Sequence, residues 1–91
     1  MPARFEIIYH PDVASRDIRH LSGDIKLRIK KAIETKLVLA PHEFGAPLRR
    51  TLKGYWKLRA GDWRIIYKIV ENTVVILRIG HRREIYERPH P

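Results

Sequence analysis

The segment from Gly54 to Ile69 constrains the fold more than any other part of this chain. Within it, aromatic and aliphatic residues alternate with lysine and arginine on both sides of a Gly61-Asp62 pair. Period-two alternation sends successive side chains to opposite faces of a strand, and Gly-Asp is turn chemistry. The segment therefore predicts a β-hairpin with one buried face and one cationic face. A two-residue turn sets Arg59 opposite Arg64, Leu58 opposite Ile65 and Trp56 opposite Tyr67. Trp56, Leu58, Ile65, Tyr67 and Ile69 then share the core side, while Tyr55, Lys57, Arg59, Arg64 and Lys68 share the other. Trp56 and Trp63 read as core or hairpin aromatics rather than as platforms for stacking bases.

Alternation also selects the following turn. A two-residue Glu71-Asn72 loop puts Arg78 on the apolar side and Val75, Leu77 and Ile79 on the charged one. A three-residue Glu71-Asn72-Thr73 loop instead sends Val75, Leu77 and Ile79 to the core and Arg78 to the cationic face, with Asn72 taking the left-handed conformation. The three-residue loop is the expectation.

Upstream, Phe5, Ile7 and Tyr9 alternate with Glu6 and Ile8 as a short strand that His10-Pro11-Asp12 breaks. Val13, Ala14, Ile18 and Leu21 recur at helical spacing, and Ser22-Gly23-Asp24 offers a stop and a new N-cap. Ile25, Ile29, Ile33 and Leu37 then sit four apart, with Ala32 and Leu39 near the same stripe and Lys26, Arg28, Lys30, Lys31 and Lys36 on the other faces. Those lysines read as a solvated exterior that could also touch RNA phosphates. Pro41 to Pro47 reads as a loop, because two prolines and Gly45 interrupt both ladder and helix. The expected fold is α+β, a single two-layer domain spanning 1–91 in the order β-α-α-β-β-β, with an antiparallel sheet and two N-terminal helices on one face.

A length of 91 residues suits one such core. The net charge is +9 and it is uneven: eight basic and six acidic residues up to Pro47, against eleven and four from Leu48 onward. The positive field belongs to the half that carries the hairpin, and it favours a polyanionic partner. The absence of cysteine excludes disulfides and thiolate metal sites. No run approaches the ~18 apolar residues of a membrane span, and the charges near Met1 do not fit a secretory signal. A soluble cytoplasmic protein is expected.

The stretches Leu52-Lys53-Gly54-Tyr55-Trp56-Lys57-Leu58-Arg59-Ala60-Gly61-Asp62-Trp63-Arg64-Ile65-Ile66-Tyr67 and Ile79-Gly80-His81-Arg82-Arg83-Glu84-Ile85-Tyr86 resemble the RelE side of the RelE/ParE toxin superfamily. The resemblance covers essentially the whole chain. It implies a toxin of a toxin–antitoxin pair, a RelB-like antitoxin in a heteromeric complex, and cleavage of messenger RNA in the ribosomal A site with no metal or cofactor. In that chemistry the 2′-hydroxyl attacks the adjacent phosphate and the 5′-oxygen leaves.

By resemblance Lys57 is the candidate base, Arg64 the stabiliser of the transition-state phosphate, Arg82 or Arg83 the acid or second clamp, and Tyr86 the platform orienting the nucleotide. A lysine is a poor base at neutral pH unless neighbouring cations favour its neutral form, and an arginine holds its protons too tightly to donate one. Both types therefore act first through charge. His81 is the alternative acid–base group. Lys53, Tyr55, Arg59, Lys68 and Arg78 are the expected RNA contacts. Competing readings are a ParE-like inhibitor of DNA gyrase and an RNA-binding member without turnover.

Overall fold

The computed structural model describes residues 4–48 and 54–85. Five strands form one sheet in the order β1-β5-β4-β3-β2, with β1 Glu6–Tyr9, β2 Ala46–Pro47, β3 Tyr55–Ala60, β4 Trp63–Val70 and β5 Thr73–His81. Between β1 and β2 run an irregular helical segment (Val13–Asp17, tightening over Ile18–His20), helix α1 (Gly23–Ala32, prolonged by a wide turn over Ile33–Leu37) and a single turn, α2 (Pro41–Phe44). The architecture is α+β, with the helical layer packed on one face of the sheet.

Sequence explains most of this layer. Ser22 caps α1, its Oγ accepting from the Ile25 N–H at 3.4 Å, as a serine before an amphipathic stripe should. Ile29, Ile33 and Leu37 are buried in one cluster with Val13, Leu21, Leu58, Ile65, Tyr67, Val74, Ile76 and Ile79. Ile25 and Ala32 pack at its margin, whereas Leu39 is 52% exposed and stands outside the stripe. Its position follows the widened turn at Ile33–Leu37, where the Val38 N–H reaches back five residues to the Ile33 carbonyl and rotates later residues off the apolar face.

The β3–β4 register is the one that alternation predicts: Arg59 faces Arg64, Leu58 faces Ile65 and Trp56 faces Tyr67. Gly61 takes a φ of 64°, which the tight turn demands of it.

The next turn corrects the expected three-residue loop. Val70 pairs with Thr73, so only Glu71 and Asn72 form the turn, and Glu71 rather than Asn72 is left-handed, at φ 55°. Tyr67 then pairs with Ile76 and Ile66 with Arg78, which leaves Leu77 as an extra residue in a β-bulge. The bulge reverses the alternation partway along β5. Val74 and Ile76 therefore enter the core before it and Ile79 after it, Arg78 lies on the open face, and Val75 is on the open side rather than in the core. A single register could satisfy only half of this strand.

Two further expectations are overturned. The sheet is mixed, because β1 pairs parallel with β5, Glu6 opposite Thr73 through Tyr9 opposite Ile76. A parallel neighbour needs only a long connection, and nothing in the composition of β1 signals its direction. The 41–47 stretch is also no plain loop. Pro41 opens α2, where its missing N–H costs nothing, and Ala46 and Pro47 pair with Lys57 and Trp56 at the sheet edge, where a proline is tolerated. The Tyr67 hydroxyl holds this segment by donating to the Pro41 carbonyl at 2.7 Å. Around it, Phe5, His42, Trp56 and Tyr67 form a chain of ring contacts.

Candidate nucleic-acid interface

On the face away from the helices, β3, β4 and β5 set their side chains in rows. Tyr55, Lys68 and Val75 form one, Lys57, Ile66 and Arg78 the next, and Arg59, Arg64 and Gly80 the third. Lys57 and Arg78 thus flank Ile66, which is buried despite lying on the open face. Five of the expected cations, Lys57, Arg59, Arg64, Lys68 and Arg78, are gathered here with Tyr55. Lys53 and Tyr86 lie outside the described residues.

Arg64 is the most buried of these. It is buried at 7% exposure, and its Nη1 donates to the Gly61 carbonyl at 2.8 Å and the Trp63 carbonyl at 2.9 Å. Those two bonds use both Nη1 hydrogens. The Nε–Nη2 edge keeps the parallel pair of N–H groups that grips a phosphate or carboxylate side-on. The turn thereby aims the guanidinium.

The segment after β5 is pinned to the same turn. Arg82 donates its N–H to the Asp62 carbonyl at 2.8 Å, and its Nε lies 3.7 Å from Asp62 Oδ1. The Glu84 and Ile85 N–H groups both donate to the His81 carbonyl. Ile85, 1% exposed, folds over the open face against Gly80, where a side chain at position 80 would meet it. Arg82 and Arg83 project from this turn into solvent.

His81 stands edge-on to Trp63, with ring centroids 5.5 Å apart, and its Nδ1 accepts the Arg83 N–H at 3.2 Å. An accepting Nδ1 leaves the ring proton on Nε2. In this conformation Nδ1 is occupied and Nε2 is the ring atom left to meet a substrate.

Asp17, Asp62, Gly80 and Ile85 are the residues that reading the sequence missed. Asp17 Oδ2 accepts the Ile79 N–H at 2.8 Å, across 62 positions of chain. It occupies the edge of β5 just beyond the last β1 pairing, Tyr9 with Ile76. No local pattern announces such a contact. Asp62 was read only as a turn residue, although its place beside Gly61 and the later Arg82 was visible. Among the described residues, no group of three His, Cys, Asp or Glu side chains comes together as metal ligands. The resolved pKa perturbations lie away from the cationic face: burial raises Tyr67, and burial together with Glu34 raises Tyr9.

Cations set across three strands, a guanidinium tied to the turn carbonyls and a tail clamped beside them make this one strongly basic face. Residues 7–86 match the ParE toxin of type II toxin–antitoxin systems. The chain belongs to the RelE/ParE superfamily of such toxins. Within it, the chain is 39% identical over 77 residues to toxin RelG of Mycobacterium tuberculosis, covering 82% of this chain and 88% of that one. It is 33% identical to toxin RelE of the same organism, over 80% of this chain and 77% of the relative. Among solved structures it is similar to the toxin–antitoxin complex RelBE2 of M. tuberculosis, with a TM-score of 0.81 and 31% identity over 92% of this chain and 98% of the other.

Proposed function

We propose that this toxin is a ribosome-dependent messenger-RNA endoribonuclease that stops translation in the cytoplasm. The observation that carries the proposal is the row structure of the open face: Lys57 and Arg78 in one row, Arg59 and Arg64 in the next, and the His81–Ile85 turn pinned to the hairpin beside them.

The substrate's 2′-oxygen attacks the neighbouring phosphorus, its proton passes to a base or to water, and the 5′-oxygen leaves with a proton. A 2′,3′-cyclic phosphate and a 5′-hydroxyl result. Preorganised positive charge lowers the barrier as the phosphorane forms. Arg64 would grip it through its Nε–Nη2 edge, with Lys57 adding charge from the neighbouring row. His81 Nε2–H would steady the leaving oxygen as a hydrogen-bond donor. Full proton transfer from His81 would require it to give up the Arg83 N–H. The antitoxin is the natural partner, because the similar M. tuberculosis structure is itself a toxin–antitoxin complex.

A second reading, inhibition of DNA gyrase, is favoured by the match to the ParE toxin. One experiment separates the two. Purified toxin, freed of antitoxin, is added to ribosomes stalled on a defined message and, separately, to a gyrase supercoiling assay. The nuclease reading expects cleavage that a 2′-deoxy substitution at the scissile nucleotide abolishes. An intact message together with inhibited supercoiling would establish the other reading.

A further inference from the structure

Where β5 runs past the end of β1, a cleft of about 460 Å³ opens, with Asp17, Leu21, Trp63, Arg78, Glu84 and Ile85 among the residues that line it. The cationic face and this cleft share Arg78, so RNA held on the face passes its mouth. We propose that the cleft is a subsite for one splayed-out base of the RNA, selective for bases that carry an exocyclic amino group. The proposal rests on the nuclease reading and adds to it a base-reading residue, Asp17.

Three features of the lining fit a base. The volume falls in the range of small-ligand sites. Trp63 supplies an aromatic wall, with Leu21, Ile79 and Ile85 as apolar surroundings, and single-stranded RNA is read by stacking a base and bonding its edge. The hydrogen-bonding groups include two carboxylates, Asp17 and Glu84. Asp17 is already oriented, since Oδ2 is held by the Ile79 N–H at 2.8 Å, and a carboxylate can accept further bonds at its other oxygen.

Carboxylates accept from the amino group of cytosine. Uracil instead presents carbonyl oxygens on either side of its one N–H, and the one set against Asp17 would face its carboxylate. The Ile79 N–H is also taken, so an added strand would have to displace Asp17. That favours an inserted side group over a partner peptide pairing along this edge.

The chain has two tryptophans, and hence two indole N–H resonances. Trp63 lines the cleft, while Trp56 stacks on Tyr67 at the far end of the hairpin. Cytidine and uridine 5′-monophosphates are titrated into the isotopically labelled full chain, with Trp63→Phe assigning the peaks. The cytidine nucleotide should shift the Trp63 resonance and leave that of Trp56 in place, binding about tenfold tighter than the uridine nucleotide. Asp17→Asn keeps an oxygen for the Ile79 N–H and turns an amide donor to the base, so it should erase or invert that preference while the Ile79 amide stays in place.

A Trp63 resonance that responds to neither nucleotide, or to both equally, would overturn the proposal, as would a cleft that binds an antitoxin peptide and no nucleotide. Cleavage of ribosome-bound message with an unresponsive Trp63 would sink the subsite and leave the nuclease standing. A responsive Trp63 with message uncut would do the reverse.

Discussion

Tyr67 and Gly45 form the contact that ties the 41–47 segment to the sheet, and a double-mutant cycle on them tests how the cationic half is supported. The Tyr67 ring is fully buried and its hydroxyl bonds the Pro41 carbonyl at 2.7 Å. Tyr67→Phe removes the donor and leaves a carbonyl without its partner, a loss of about 1–3 kcal/mol. In a domain of this size, that is a fall in Tm of roughly 5–20 °C. Gly45 is needed for space rather than for its backbone, since its φ of −95° suits any residue. A methyl group there would overlap the Tyr67 hydroxyl and come within 3.1 Å of the Lys57 carbonyl. Gly45→Ala must therefore displace the ring, break the same hydrogen bond and overpack the site, together about 2–5 kcal/mol. Because both variants lose one shared bond, and because phenylalanine withdraws the nearer clashing atom and leaves only Cζ at 2.8 Å, the double variant should be less destabilised than the sum by about 1–2 kcal/mol. Urea denaturation of the four proteins measures the coupling. Additivity within about 0.5 kcal/mol would refute the claim that the Tyr67 hydroxyl is what Gly45 makes room for.

Burial raises the Tyr67 pKa above its ordinary 10.0, so above pH 10 the unfolded chain releases this proton while the folded chain keeps it. Stability should fall there by up to about 1.4 kcal/mol per pH unit, and urea midpoints should show a shallower fall in Tyr67→Phe. Gly80→Ala brings a methyl group to 3.1 Å from Ile85 Cδ1, the movable end of a side chain. Cleavage should therefore drop through displacement of the tail while Tm changes by only a few degrees. Arg64→Lys cannot hold both turn carbonyls and a phosphate edge, so kcat for message cleavage should fall about 10²-fold or more, with ribosome affinity little changed. Glu71→Asn, at a left-handed position that asparagine tolerates better, should raise the urea midpoint by the equivalent of about 0.5 kcal/mol.

Several parts of the molecule were legible in the residues. The β3–β4 hairpin was readable because its alternation is unbroken on both sides of a Gly-Asp turn, so one register alone keeps cations off the core. Helix α1 was readable from isoleucines four apart behind a serine cap. The face bearing Lys57, Arg59, Arg64 and Lys68 followed from the same two-residue period, and the family resemblance from its two motifs, whereas Arg78 joins that face only through the bulge in β5. Strand β5 was harder, because a bulge at Leu77 changes the period within the strand and alternation carries no mark of an unpaired residue.

By itself, then, the sequence determined which residues lie on which side of β3 and β4, since side-chain direction there depends only on neighbours along the chain. Tertiary structure decided what depends on distant partners. It set β1 parallel beside β5, folded Arg64 back onto Gly61 and Trp63, clamped Arg82 to Asp62, and brought Asp17 to Ile79 at the mouth of the cleft. All but the exposed Arg82–Asp62 pair are hydrogen-bonding solutions for backbone groups or buried charge that must find a partner once water is excluded. Which partner is near enough is settled only when the layers have packed.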